Sequence, residues 1–233
     1  RAIDFYSSES FLFNPKTLEL KKLDLPQSAE VSGFFNGSVV FLLREDLSAK
    51  QLKQGSLVQM PVDGKYETDT SLLYAPTENA SIQGVSFLKD TVVLSVLRDV
   101  RGELLRLKYD PSSTSWQSEM FDLPRYGQVS VASVSAFDDV LIAGYEDYLT
   151  PYSQYNIDLK DLKIKPELFK QSPSRFNSNG LEIHQRFVTS KDGTRVPYFL
   201  IARKGLELNS ANPTLLYGYG GFEISMTPGY LGA

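Results

Sequence analysis

The hydrophobic pattern has a short period. Apolar runs of four to eight residues alternate with polar turns, and no long stretch carries apolar residues at helical spacing. Such a pattern predicts an all-β domain built of hairpins. Three segments resemble one another: Gly33 to Glu45, Val85 to Asp99 and Val134 to Glu146. Each has an aromatic residue ending one strand (Phe35, Phe87, Phe137), a tight polar turn, an apolar strand and an acidic end. The aromatic positions recur about 50 residues apart, the length of a four-stranded propeller blade.

A third strand is expected after each hairpin, at Gly55–Met60, Gly102–Tyr109 and Tyr152–Ile157. An outer fourth strand is expected at Ser71–Tyr74, Ser115–Phe121 and Leu162–Lys165. Residues from about 30 to 168 then read as about three blades, with residues 2–24 as outer strands of a preceding one. A closed propeller needs roughly four to eight blades, so part of the ring would lie outside this chain. A β-sandwich with similar hairpins is the competing architecture.

The pattern changes near Gln171–Gly180, where Ser, Asn, Pro and Gly cluster as in a linker. Beyond it, Leu181 to Val188 alternates, with Leu181, Ile183, Gln185 and Phe187 on one face and Glu182, His184, Arg186 and Val188 on the other. Asp192-Gly193 predicts a type I′ turn, and Val196–Arg203 the returning strand. Pro197 lacks an N–H and places that strand at an edge. Thr214-Leu215-Leu216-Tyr217 is uniformly apolar and reads as a strand buried on both faces. The expected domains are therefore a partial β-propeller at 1–172, then at 173–233 a linker and the beginning of an α/β domain.

Composition narrows the chemistry. The chain of 233 residues is 42% hydrophobic and 22% charged, ordinary for a globular protein. Thirteen Tyr and 14 Phe, against a single Trp, lean toward strands. A net charge of −4 argues against nucleic acid or an anionic membrane as partner. No apolar run is long enough to span a bilayer. Cysteine is absent, which excludes disulfides, Cys-ligated metals and a Cys nucleophile. With one histidine there is no convincing transition-metal constellation, and no metal or organic cofactor is implied. The chain opens on Arg1-Ala2-Ile3, with neither an initiator Met nor a leader, and reads as the interior of a longer protein. The compartment stays open, with the cytoplasm favoured over the periplasm.

Candidate chemistry lies in Tyr217-Gly218-Tyr219-Gly220-Gly221-Phe222. Glycines let a ligand approach the main chain. A Gly-rich turn after a central strand is where α/β-hydrolases place part of the oxyanion hole. A neighbouring Tyr hydroxyl could donate to the same oxygen. The competing reading is a tight turn with buried aromatics.

The stretch from about 176 to 233 resembles the domain junction of the prolyl oligopeptidase family of serine peptidases. The resemblance is carried by Phe176, Leu181-Glu182, Asp192-Gly193-Thr194, Lys204-Gly205 and, above all, Leu216 to Ser225. Leu149-Thr150-Pro151 is similar to the bacterial branch. The resemblance implies a seven-bladed propeller joined to an α/β-hydrolase domain, and a parent enzyme cleaving short peptides, notably after proline. It implies that Tyr219 belongs to the oxyanion hole and that Phe222 lines the pocket for a proline ring. It also implies that nucleophile, acid and histidine follow in that order downstream, so this chain by itself would be inactive. The partners so implied are a short peptide and the rest of the hydrolase domain; unpaired apolar edges would make the chain associate or need that remainder.

Other candidates are weaker. Ser178-Asn179-Gly180 only superficially resembles a nucleophile elbow, with Phe176 where the first glycine is required, and it precedes the glycine loop. His184, ahead of the glycine loop, reads as a surface or interface residue. The strand ends Arg44-Glu45-Asp46, Arg98 to Arg101 and Glu146-Asp147 could line a polar tunnel but read as solvated. Asn36-Gly37-Ser38 and Asn79-Ala80-Ser81 match a glycosylation pattern. A propeller used only for binding, or a related esterase or aminopeptidase, are the alternative functions.

Overall fold

A computed structural model describes residues 1–160, 165–222 and 224–231. It is built almost wholly of antiparallel strands. A two-stranded hairpin comes first, β1 (Phe11–Asn14) with β2 (Glu19–Lys22). A four-stranded meander follows, of β3 (Glu30–Phe35), β4 (Ser38–Leu42), β5 (Leu57–Pro61) and β6 (Ser71–Tyr74). The second meander is β7 (Ala80–Phe87), β8 (Val92–Arg98), β9 (Arg101–Asp110) and β10 (Ser115–Met120). The third is β11 (Gln128–Val134), β12 (Val140–Glu146), β13 (Ser153–Asp158) and β14 (Glu167–Gln171). A long hairpin, β15 (Leu181–Thr189) with β16 (Arg195–Arg203), completes the set. Three consecutive four-stranded meanders are blades of the propeller type.

The chain forms two compact units, residues 1–94 with 105–119 and residues 95–104 with 120–233. The second meander is divided between them, its β8–β9 tip falling in the second unit. In the first unit, the run Val39-Val40-Phe41 of β4 is wholly buried. An apolar run without alternation suits a strand covered on both faces. Phe41 and Val39 pack with Leu23, Ala29, Leu43, Leu47, Val58 and Met60 into one cluster, against which Leu12 and Tyr66 lean. The β3–β4 connection is the two-residue turn Asn36-Gly37 with φ of 47° and 78°, the type I′ geometry that this dipeptide favours. Gly33 is required by a close approach: a β-carbon there would lie 2.6 Å from the Phe87 ring, which stacks on Phe35 at 6.0 Å.

Several expectations change. Phe35 is buried, but Phe137, the third member of the aromatic series, is 90% exposed. It lies in the loop between β11 and β12, turned to solvent. The fourth strand of the third meander is Glu167–Gln171; of the expected 162–165, residues 162–164 lie outside the described residues. The β15–β16 turn is not type I′. Only Gly193 has positive φ (88°), Gly193 N bonds Ser190 O, and Ser190 N bonds Thr194 O. That is a type I turn closed by a glycine bulge. Residues 214–217 form no strand, and Leu215 and Leu216 are over 90% exposed. A strand buried on both faces needs neighbours on either side, and among the described residues this run pairs with none.

Candidate functional site

The aromatic–glycine loop is an open one. Tyr219 is half-exposed, and Phe222 is 91% exposed with a φ of 53°. The Tyr219 side chain folds back over its own loop. A β-carbon on Gly221 would fall 2.8 Å from the Tyr219 hydroxyl, so glycine is what lets that ring lie there. Ile224 N closes the turn on Gly221 O at 3.1 Å. Tyr219 therefore does not sit in a packed core. Its hydroxyl lies over Gly221 on a partly exposed loop.

Downstream of the loop the chain is anchored. Pro228 is buried, Thr227 Oγ1 donates to Gln128 Oε1 at 3.4 Å, and Leu231 N donates to Tyr148 O at 3.3 Å. The Tyr230 ring stacks on Phe176 (5.3 Å, 17°), and its hydroxyl accepts from Arg175 N at 2.9 Å. Burial acts to raise the Tyr230 pKa, but the bonds from Ser174 and from the Arg175 and Phe176 backbone outweigh it and lower the value. Tyr230 carried no signal in the sequence beyond its place after Pro228-Gly229. Its role as a tether depends on a linker 55 residues away.

His184 stands on β15 with Nε2 3.2 Å from Glu182 Oε1, both side chains partly exposed. Among the described residues, no hydrogen bond joins it to a serine. That bond to His184 lowers the Glu182 pKa. Ser178, Asn179 and Gly180 lie in the turn leading into β15, well short of an elbow between strand and helix. Among the described residues, no group of three or more His, Asp or Glu side chains is placed to hold a metal.

The three charged strand ends differ. Asp46 is exposed and binds Lys53 at 2.7 Å. Arg98 pairs with Glu103 at 3.0 Å with both side chains mostly covered. Asp147 is buried, contrary to the expectation of a solvated end. Its carboxylate accepts from Tyr145 Oη (2.6 Å), Leu149 N (2.8 Å) and Thr150 N (2.6 Å), which is what makes the burial affordable. A cavity of about 720 Å³ lies in the first unit, lined by Phe11, Leu20, Leu23, Val31 and Phe34 with Glu9, and involves none of the candidate residues.

Comparison with known proteins settles the family. Residues 24–170 match the model of the prolyl oligopeptidase N-terminal β-propeller domain. The chain belongs to the prolyl oligopeptidase family. An uncharacterized peptidase of Sinorhizobium fredii is 32% identical over 240 aligned positions, 99% of this chain and 32% of that protein. The prolyl endopeptidase of Elizabethkingia meningoseptica is 29% identical over 147 positions, 62% of this chain and 18% of that protein. Among solved structures, a post-proline cleaving enzyme from Rickettsia typhi superposes with a TM-score of 0.76 at 26% identity, covering 97% of this chain and 34% of the other. Oligopeptidase B from Leishmania major shares the fold, with a TM-score of 0.73 at 16% identity. The chain thus spans about a third of the length of the curated relatives it first matches. In this family the three meanders are propeller blades.

Proposed function

We propose that the protein of which this chain forms part is a serine peptidase that cleaves short peptides on the carboxyl side of proline. One observation carries the reading. Similarity to a post-proline cleaving enzyme covers 97% of the chain, more than the blades alone account for. Residues 1–172 act as the propeller that limits entry to short peptides, and residues 173–233 begin the catalytic domain.

The chemistry assigned to the loop is what the family resemblance implies, and the loop's exposure supports it. A serine hydroxyl attacks the carbonyl carbon of the proline residue while a histidine takes its proton, and the carbonyl oxygen becomes an oxyanion. The surface-held Tyr219 hydroxyl donates to that oxygen, beside a backbone N–H. The histidine then protonates the leaving amine, and water hydrolyses the acyl-enzyme. The exposed Phe222 ring packs against the proline ring. His184 is not assigned as the base, because no serine is hydrogen-bonded to it among the described residues.

The test is steady-state hydrolysis of a proline-containing reporter peptide by the whole protein. Tyr219→Phe lowers kcat by about 10²–10³, as expected for loss of one oxyanion donor, with little change in KM. Phe222→Ala raises KM for a proline peptide more than for its alanine counterpart. A parent that neither turns over the peptide nor reacts with an active-site serine probe refutes the reading.

A further inference from the structure

Two turns of the chain share one geometry but not one chemistry. Asn36-Gly37, joining β3 and β4, has φ of 47° and 78°, and both residues are exposed. Asp99-Val100, joining β8 and β9, has φ of 47° and 59°. A β-branched residue in the left-handed region is an outlier where glycine or asparagine is the easy choice. This second turn is half-buried, and what covers it is specific. The Gln185 side-chain amide donates to the Asp99 carbonyl. Gln185 stands directly opposite Phe199 across the β15–β16 hairpin. The Phe199 ring in turn meets Tyr148 at 5.5 Å, in the loop whose Leu149 N bonds the buried Asp147 carboxylate. Facing residues of an antiparallel pair lie on one side of the sheet. One cross-strand pair of the hairpin therefore touches the β8–β9 tip with one residue and the β12–β13 loop with the other.

The tip is pinned from its other side. Gly102 N donates to Gly127 O at 2.9 Å, and a β-carbon on Gly102 would lie 2.4 Å from Val129 N. Arg98 and Glu103 pair across its base, and Arg101 Nε is buried with no acceptor among the described residues. A strained backbone persists only where its surroundings over-determine it, and such sites are where switches are found.

We propose that the Asp99–Val100 turn and the Gln185–Phe199 pair form a two-state latch. The left-handed turn is held by docking of the β15–β16 hairpin and relaxes when the hairpin lifts away. The latch joins blade to hairpin in the stretch that leads into the Tyr219 loop, but its existence does not depend on the activity assigned to that loop.

The experiment is amide hydrogen exchange of the full chain followed by mass spectrometry, on two variants. Gln185→Leu removes the amide that holds the Asp99 carbonyl. Exchange should rise about fivefold or more, the worth of one hydrogen bond, in 181–189, 195–203 and 99–102 together, with β3–β5 unchanged. Val100→Gly removes the strain in the docked state and should slow exchange in the same three segments while raising Tm. A Gln185→Leu variant that leaves 99–102 unchanged overturns the latch. So does a Val100→Gly variant with a raised Tm but unaltered exchange in 181–203, because the strain would then belong to the turn alone.

Discussion

Tyr145 donates a 2.6 Å hydrogen bond to Asp147, two residues on, and both side chains are buried at the end of β12. Burial first, and the Asp147 carboxylate second, push the Tyr145 pKa above its ordinary 10.0. The neutral phenol is therefore the form that the fold selects. Its contribution is fully present below pH 10.0 and is lost as pH rises beyond, because the unfolded chain ionises there and the folded one resists. Tyr145→Phe should flatten the alkaline limb of the stability curve. At neutral pH it should cost about 1–3 kcal/mol, since it leaves a buried carboxylate one donor short. Urea unfolding followed across pH 7 to 11 checks both.

Gly127 sits under that same ring. A β-carbon there would lie 2.3 Å from Tyr145 Cε2 and 2.4 Å from Glu146 O, and the second is a backbone atom that cannot swing aside. Gly127→Ala should destabilise by about 1–3 kcal/mol or more through overpacking, with local exchange rising in β11 and β12. A thermal melt with Tm unchanged would mean that the strands slide apart freely.

At the β15–β16 turn, Gly193 holds φ at 88° and nothing crowds its α-carbon. Gly193→Ala should cost about 1–2 kcal/mol from backbone conformation alone. Asp192 accepts from the Ser190 hydroxyl and Thr194 N, which lowers its pKa from 3.8 to about 2. Its support for the turn is complete above the ordinary carboxylate value and is lost as pH falls through about 2. Asp192→Asn should therefore remove a small part of the acid limb below pH 4, read as chemical shift changes confined to 189–195.

What the sequence displayed was mostly local. Val39 to Phe41 is apolar at every position, and a central strand buried on both faces is the simplest way to use it. Asn36-Gly37 announces its own turn. The third aromatic, Phe137, matched the pattern without the packing, because spacing does not say whether a loop lies over a sheet. Asp192-Gly193 was legible as a turn but not as a type, which depends on which residues end the ladder. Asp147 looked like a solvated strand end because its donors, the Leu149 and Thr150 amides and the Tyr145 hydroxyl, are backbone and side-chain geometry that no composition reveals. Thr214 to Tyr217 was read as a buried strand on hydrophobicity alone, yet burial requires partner strands that are absent among the described residues. Tyr219 stands out in the sequence because its glycine neighbours signal close approach. Tyr230 was missed because its partners lie far upstream.

The last prediction separates the histidine in view from the chemistry proposed. His184 is the sole histidine of the chain, and its Nε2 is 3.2 Å from Glu182. A general base must reach the proton it abstracts, and no serine is bonded to this imidazole among the described residues. The 233-residue chain alone should therefore not label with a fluorophosphonate serine probe, nor hydrolyse a proline reporter peptide. In the whole protein, His184→Ala should leave kcat within about twofold of its starting value, whereas Tyr219→Phe lowers it by about 10²–10³. Stoichiometric labelling of the short chain would place an activated serine within it, and a loss of kcat in His184→Ala matching that of Tyr219→Phe would make His184 part of the catalytic machinery; either would overturn the prediction.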